Sequence, residues 1–532
     1  MTTFKTSIDL HSKQFGTQKK FMEKCLNRVH DLYEHQSESL KPIITQSRNN
    51  LSVWSRIYLL IDQESPFLEI MPIAGDGARP CGAICGLGKV SGCWVVLFAN
   101  DPSILGGALT SYVYEKWARA LEISKENHLP YISLVQSAGF DLRQKASNHS
   151  SKNIQMPHFG STGKEFYDLT QLSANGIPTI SIVFGSATAG GAYQPALSDY
   201  TIMVKDHAQV YLAGPPLLKM ATGQIVDGES LGGANMHCKT SGLGDYLCHD
   251  EVDAIMQCKK IVNTFQRSES SVLSYQKPVY ALEDLMGWQH PEHKMPVDVR
   301  ELIVRLIDDE SEVRFKPDYG IQMECGFGTI FGHKVGYIAN QGVILPEAAM
   351  KAAHFVQLCN QNACPIIFLH NTTGFMVGES YEQSGIIKYG AQLINVISNS
   401  SVPHISLIFG ASYGAGNYAM SGKAFNNRFI FSWPNARVGV MGEKQIAGVL
   451  GLLKEAKARK LNKPLDVKEH AAYLQAIEEA AREDSDAITM SRLCADDGII
   501  DPRDSRTVLG ICCDIVYAQP IVGQKNYGVF RF

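Results

Sequence analysis

The chain has 532 residues, an apolar fraction of 45% and a formal net charge of −4, which are ordinary values for a soluble globular protein of about two to four domains. A near-neutral charge without a basic block argues against nucleic acid as the main partner, and no apolar run reaches the ~18 residues of a membrane span. The first twenty residues lack an apolar core and contain no Arg, so we expect a cytoplasmic protein.

The 13 cysteines occur without CxxC spacing and without His partners in a zinc pattern. This arrangement favours reduced, buried thiols in a reducing compartment over a metal site. We therefore expect no metal in this chain.

The first half of the chain alternates predicted helices and strands, with Gly and Pro at the breaks. In chain order the elements are a helix over 10–40, β-rich runs from 67 to 100, a helix over 109–128, a strand over 131–136, a helix over 164–175, a strand from 177, a strand over 200–204 and a helix over 250–266. Two segments, 141–163 and 223–247, predict loops, and we expect the second to cover a site.

The second half repeats this plan after a polar, Pro-containing stretch at 267–300. We place a boundary in that stretch, and predict one domain over 1–275 and a second over 276–532. The later elements are strands at 328–331 and 335–339, a helix at 346–360, a strand at 365–370, a helix at 384–399, a strand from 402, a charged helical segment at 452–485 and a C-terminal helix.

A short motif occurs once in each half. Residues 177–193 read IPTISIVFGSATAGGAY and residues 402–418 read VPHISLIFGASYGAGNY, so the two copies align without a gap at an offset of 225. The strand that precedes each copy also recurs, at an offset of 235, and a third match downstream has an offset of 228. Three matches in the same order predict a duplicated protein.

Each copy is a strand that ends in small residues before a helix, which leaves backbone N–H groups free to face an anion. This pattern fits crotonase-type enzymes, in which two such donors hold a thioester oxygen as it becomes an enolate, each lowering the barrier by roughly 3–4 kcal/mol. A tight turn between a strand and a helix would look the same in one copy. The recurrence of the motif in the second half favours two oxyanion sites, one for each of two reactants that develop negative charge on oxygen.

Longer motifs extend the pattern, among them FGSATAGGAYQPALSDYTIMVK (184–205), NTTGFMVG (371–378), GASYGAGNYAMSGKAF (410–425) and DDGIIDPRD (496–504). With these motifs the chain resembles, over about residues 7–531, the carboxyltransferase (β) subunits of biotin-dependent acyl-CoA carboxylases, in the methylcrotonoyl-CoA and geranyl-CoA carboxylase branch. The resemblance implies an α/β, duplicated crotonase-like (ClpP/crotonase) fold with two carboxyltransferase domains.

The resemblance implies a role for the first copy of the motif. Backbone N–H groups of Gly190 and Gly191 would hold the thioester oxyanion, and Ala189 and Tyr193 would lie beside the acyl-CoA. The first domain is therefore expected to be the acyl-CoA side.

The second copy would serve biotin. Ala415 and Gly416 would hold the ureido oxygen, with Tyr413 and Gly414 beside it, which makes the second domain the biotin side. The ureido nitrogen would remove the substrate proton, so no side-chain base is expected near either turn.

The resemblance also implies partners. Biotin would be carried by a partner subunit with biotin carboxylase and biotin carrier functions, and the chain itself would form a homo-oligomer, commonly a hexamer. One Ala-Met-Lys sequence, at Lys351, resembles a biotin-attachment motif, but its helical spacing predicts that it is not one.

Several positions depart from the family pattern. Leu105 and Asn235 stand where Lys and Glu are usual, and Glu443 and Lys444 replace a usual Gly-Glu. His237 and Lys219 are weaker candidates for ligand contacts, since a satisfied histidine and a surface lysine are the ordinary alternatives.

Two other functions stay open on the sequence. One is a related enzyme, either a biotin-dependent acyl-CoA decarboxylase or a crotonase-type hydratase; the hydratase would need paired carboxylates near the first turn, where only Asp199 is available. The other is a non-catalytic paralogue within a carboxylase assembly. The identity of the acyl-CoA stays open as well.

Overall fold

A computed structural model describes residues 4–38, 49–76, 81–141, 162–265, 274–291, 297–462 and 465–527. The chain divides into two compact units. Residues 31–270 with 492–494 form the N-terminal unit, and residues 1–30, 271–491 and 495–532 form the C-terminal unit. The functional domain limits of 1–275 and 276–532 stay a prediction, and most of the loop expected at 141–163 lies outside the described residues.

The N-terminal unit is built on one mixed sheet with the order β1-β2-β3-β4-β5-β6-β8, and β7 pairs with β5. Strands β1 to β3 are antiparallel and the later pairs are parallel. The strands are β1 (Leu68–Ile70), β2 (Ala83–Val90), β3 (Cys93–Asn100), β4 (Tyr131–Ser137), β5 (Thr179–Thr188), β6 (Tyr200–Val204), β7 (Gln209–Tyr211) and β8 (Tyr246–Cys248).

The C-terminal unit has a second sheet of the same design, with the order β14-β13-β12-β11-β10-β9 and β15 paired with β13. Its strands are β9 (Val313–Arg314), β10 (Met323–Ile330), β11 (His333–Asn340), β12 (Ile366–Thr372), β13 (His404–Tyr413), β14 (Phe429–Ser432) and β15 (Arg437–Gly439).

Helices connect the parallel strands. Those up to residue 262 are α1 (Lys13–Glu38), α2 (Val53–Leu60), α3 (Ser111–Asn127), α4 (Lys164–Ala174), α5 (Tyr193–Leu197), α6 (Pro215–Thr222), α7 (Gly228–Gly232), α8 (Ala234–Met236) and α9 (Glu251–Val262). The later ones are α10 (Arg300–Leu306), α11 (Pro346–Gln361), α12 (Glu379–Gln383), α13 (Ile386–Ser398), α14 (Gly414–Ala419), α15 (Glu443–Lys460), α16 (Val467–Asp484), α17 (Ala487–Arg492) and α18 (Ser505–Val516).

The two sheets share their strand registers, and this confirms the predicted duplication. Tyr131 pairs with Thr179 in the first sheet, and Ile366 pairs with His404 in the second. Both pairs of strands then shift register at equivalent points, before Ser137 and before Thr372.

The central strands β5 and β13 are almost wholly buried, since helices or loops cover both faces of each sheet. Parallel strands in that position need apolar side chains on both faces, which explains the short apolar runs that introduce each motif. Separate apolar cores result, one around Ile180 and Ile182, the other around Phe355 and Phe368.

Three expectations from the sequence need correction. The segment 223–247, expected to be a loop, contains α7, α8 and a π-helix (His237–Ser241), and β8 begins at its end, because its glycines separate short helical turns. Strand β10 begins at Met323 rather than 328, since its glycines are tolerated in the sheet. Helix α15 begins at Glu443, nine residues before the expected start at 452. No helix within the described ranges combines the length and apolarity of a membrane span.

Candidate active site: two equivalent turns

The first turn follows β5. A 3₁₀ helix over Ala189–Ala192 leads directly into α5, and no side chain caps its start. Gly190 and Gly191 therefore lie in the first turn of a helix, where backbone N–H groups have no acceptor within the helix. Ala189 has a left-handed backbone, with φ of +51°, and this sharp change of direction turns the chain from strand to helix.

The second turn follows β13 in the same manner. Gly414, with φ of +54°, is the equivalent of Ala189 at the offset of 225. Ala415 and Gly416 then occupy the first turn of α14, which also has no side-chain cap. Ala415 is exposed and Gly416 is buried.

A hydroxyl residue supports each turn from the neighbouring strand. A Cβ on Gly191 would lie 3.0 Å from both Cβ and Oγ of Ser137, and a Cβ on Gly416 would lie 2.9 Å from Oγ1 of Thr372. Ser137 Oγ accepts from the N–H of Gly139 at 3.2 Å, and Thr372 Oγ1 accepts from the N–H two residues on, at 3.1 Å. A side chain at Gly191 or at Gly416 would therefore crowd the hydroxyl residue of the neighbouring strand.

The surroundings of the first turn are apolar and aromatic. Leu109 and Phe166 lie within van der Waals reach of the position that a Cβ on Gly190 would occupy, at 3.6 and 3.8 Å. The rings of Phe166 and Tyr193 are 5.5 Å apart, and Tyr193 keeps 42% of its surface exposed. An apolar group bound beside Gly190 would meet these side chains.

The surroundings of the second turn are more polar. Tyr413, the last residue of β13, is only 8% exposed, so its side chain offers little surface to a ligand. Burial raises the pKa of Tyr413 to about 12, and the nearby Glu443 carboxylate adds to that shift, while Arg437 and a hydrogen bond with Ser485 oppose it. Glu443, one of the departures noted in the sequence, lies 3.8 Å from Arg482.

A hydrogen-bonded chain lies behind the second turn. Asn417, on α14, donates its Nδ2–H to Ser412 Oγ at 2.9 Å, and Ser412 Oγ lies 3.1 Å from Nδ1 of His370. His370 and Ser412 are fully buried. The corresponding residues of the first half, at the offsets of 235 and 225, are Val135, Ala187 and Ala192.

This chain was not predicted from the sequence, in which His370 aligns with Val135 at the offset of 235. Burial lowers the pKa of His370 to about 3, against a smaller opposing effect of the Met420 backbone. The imidazole is therefore neutral at physiological pH, and the tautomer decides whether its Nδ1 or the Ser412 hydroxyl donates the hydrogen bond between them. His404 is a second buried histidine of the same sheet, with its pKa also lowered to about 3 by burial.

The remaining candidates have structural partners. His237 lies with Nε2 2.7 Å from the Val210 carbonyl and Nδ1 2.7 Å from Ser241 Oγ. Asn235 donates to Glu229 and Asp206 at 3.2 and 3.3 Å.

The other departures and the lysines occupy varied positions. Leu105 is half-buried with φ of +53°, while Lys219 and Lys444 are exposed on α6 and α15. Lys351 lies fully buried on α11, which agrees with the prediction that it does not carry biotin. Among the described residues no cluster of His, Cys, Asp and Glu could hold a metal ion.

The chain matches the family model described as carboxyl transferase domain over residues 45–530. It is 45% identical over 491 residues to a probable biotin-dependent acyl-coenzyme A carboxylase beta2 subunit of Mycobacterium tuberculosis, covering 91% of each chain. It is 40% identical over 495 residues to the mitochondrial methylcrotonoyl-CoA carboxylase beta chain of Dictyostelium discoideum, covering 91% of this chain and 83% of that one. The geranyl-CoA carboxylase beta subunit of P. aeruginosa superposes with a TM-score of 0.86 at 35% identity, covering 99% and 100%.

A duplicated crotonase-like frame with a small-residue turn at the end of one central strand in each half defines a carboxyltransferase. The chain belongs to the carboxyl transferase family. The prediction of a β subunit of a biotin-dependent acyl-CoA carboxylase, in the methylcrotonoyl-CoA and geranyl-CoA branch, is confirmed by these matches.

Proposed function

We propose that the two turns are the two oxyanion holes of the carboxyl transfer reaction. The observation that supports this most strongly is their equivalence: each turn has one left-handed residue followed by two small residues in the first turn of a helix. Gly190 and Gly191 serve the thioester oxygen of the acyl-CoA, and Ala415 and Gly416 serve the ureido oxygen of biotin. Neutral backbone donors suit both oxygens, because each gains negative charge only during the reaction.

Biotin fits the second turn by chemistry and by access. Ala415 is exposed, and no side chain caps the start of α14, which follows the left-handed Gly414. Carboxybiotin supplies CO2 and a nitrogen that takes the substrate proton. The chain's own contribution is to bind the two oxygens and to hold the reactants, and Gly414 and Tyr413 shape the biotin side.

The first turn suits an apolar acyl group. Leu109, Phe166 and Tyr193 present hydrocarbon surface next to Gly190, and Ala189 adds a methyl group. Unsaturated, branched acyl groups of the methylcrotonoyl or geranyl type bury well against such side chains. These are the acyl-CoAs named for the two similar proteins of this branch.

The partner of the reaction is a subunit with biotin carboxylase and biotin carrier functions, since the described residues include no exposed lysine in a biotin-attachment motif. We propose a homo-oligomeric core, commonly a hexamer, in the cytoplasm.

A hydratase fits less well than a carboxyltransferase. Asp199, the one carboxylate considered for that chemistry, accepts hydrogen bonds from the N–H and hydroxyl of Thr179 at 2.8 and 2.9 Å. Thr179 begins β5, whereas the turn follows the end of that strand. The carboxylate therefore sits at the opposite end of the strand from the donors.

Carboxyl transfer from a panel of carboxylated acyl-CoAs to free biotin tests the proposal, with the carboxylated forms of methylcrotonoyl-CoA, geranyl-CoA and propionyl-CoA as donors. We expect transfer with at least one of the first two. An assembled oligomer that transfers no carboxyl group from any carboxylated acyl-CoA would favour the non-catalytic paralogue. Loss of CO2 from a carboxylated acyl-CoA without carboxylation in the reverse direction would favour the decarboxylase.

A further inference from the structure

The residues behind the second turn form a continuous polar chain from the sheet to α14. Asn417 belongs to α14, Ser412 to β13 and His370 to β12, and their contacts are 2.9 and 3.1 Å long. These three residues come from segments up to 47 positions apart, yet they bring together three elements that surround the turn.

A buried chain of this kind holds its members in one arrangement. Each polar atom in the interior costs free energy unless it is paired, so displacement of one member leaves the next unsatisfied. His370 is neutral because burial lowers its pKa to about 3, so its hydrogen bond with Ser412 is the same across the physiological pH range. The backbone of Met420, at the end of α14, also influences the imidazole.

The first half shows that the fold does not need this chain. Val135, Ala187 and Ala192 occupy the same positions there and are buried, and the strand registers around them are the same. The chain from His370 to Asn417 is therefore a feature of the second turn that the shared fold does not require.

We propose that His370 is a positioning residue for the biotin-side turn, acting through Ser412 and Asn417 to hold α14 and the N–H groups of Ala415 and Gly416. The inference rests on the proposed function, because it assigns these donors to biotin. The first turn has no counterpart of these three residues, and Ser137 and the apolar side chains of Val135, Ala187 and Ala192 lie behind it.

The test replaces His370 by the residue of the other half, His370→Val, and measures transfer with free biotin. We expect kcat/KM for biotin to fall about tenfold, the equivalent of one lost buried hydrogen bond, through a higher KM for biotin. The KM for acyl-CoA should not change. His370→Gln, whose amide can donate to or accept from Ser412, should restore most of the loss.

The matched control is His404→Thr. His404 is also buried and forms hydrogen bonds with Ser421 and Ser400 at 3.0 and 2.9 Å. At the offset of 225 it aligns with Thr179 of the first half. This variant should lower thermal stability without a change in the KM for biotin. An equal change of that KM in both variants would overturn the inference, since it would show a general loss of packing.

Hydrogen exchange provides a readout that is independent of activity. In His370→Val the amides of 414–420 should exchange faster by about tenfold, and those of 189–197 should not change. If the Val variant does not fold, Ser412→Ala, which copies Ala187, is measured in its place. Unaltered exchange over 414–420 would refute the positioning role, whereas a wild-type protein that transfers no carboxyl group would refute only the proposed function.

Discussion

The two turns share a backbone and differ in what supports them. Both follow a buried parallel strand, both contain a left-handed residue, and both press against a hydroxyl residue of the neighbouring strand. At three matching positions the first turn has the hydrocarbon side chains of Val135, Ala187 and Ala192, whereas the second has the polar chain that includes His370. Duplication thus preserved the donors, which belong to the backbone, while the side chains around them diverged.

The residue with the left-handed backbone also differs between the two turns, as Ala189 in the first and Gly414 in the second. Glycine occupies this position in the second turn, where a Cβ would lie 2.9 Å from the Val440 carbonyl oxygen. Alanine occupies it in the first turn, at a cost of about 1–2 kcal/mol for an L-residue in that conformation. The first turn stores strain that the second does not.

The largest effects should come from removing one donor from either turn. Gly190→Pro and Ala415→Pro each delete a backbone N–H in the first turn of a helix. We expect turnover in carboxyl transfer to fall by about 10²–10³-fold in each case, because one oxyanion donor is lost. Steady-state kinetics of carboxyl transfer from a carboxylated acyl-CoA to free biotin measures this.

Variants that retain the N–H serve as controls. Gly190→Ala places a Cβ at ordinary distances of 3.6 and 3.8 Å from its neighbours, and Ala415→Ser changes an exposed side chain. Both should keep most of the turnover. If Gly190→Pro were as active as Gly190→Ala, the enolate role of this N–H would be wrong.

A second difference between the halves should appear in the pH dependence of stability. His370 has a folded-state pKa of about 3, below the ~6.5 of an unfolded histidine. The unfolded state therefore binds the proton first, and stability present above pH 6.5 is lost as the pH falls towards 3. At pH 5 this residue should cost about 2 kcal/mol of unfolding free energy.

Unfolding midpoints at pH 7 and pH 5 check this expectation. His370→Gln should show a smaller loss between the two values than the wild-type protein, and Val135→Ala, in the first half, should show the wild-type loss. An identical pH dependence in the Gln variant would mean that the His370 imidazole is accessible to protons in the folded protein.

The smallest effects should come from exchanging the left-handed residues. Ala189→Gly relieves the strained conformation and should raise the unfolding free energy by up to about 1 kcal/mol. Gly414→Ala should lower it by about 1–2 kcal/mol, with the close contact to Val440 adding to the loss. Chemical denaturation of both variants measures whether each one gains or loses unfolding free energy. The same sign in both would contradict the difference in strain between the turns.

Much of this architecture could be predicted from the sequence. The offsets of 225 and 235 located both turns, their strands and the pairing of Gly190 with Ala415, because strand periodicity and small-residue turns are local signals. The family motifs then indicated the chemistry. Errors fell where glycine was ambiguous, as in 223–247, whose glycines end short helices, and before 328, where they lie within β10.

Only the tertiary structure revealed what supports each turn. His370, Ser412 and Asn417 are unremarkable in their own segments, and their contacts depend on the register of β12 against β13 and on the start of α14. The same holds for the burial of Tyr413, a residue predicted beside biotin, whose side chain lies near Glu443 and Ser485. Local patterns determine where a backbone turns, whereas burial and hydrogen bonding depend on residues that only folding brings together.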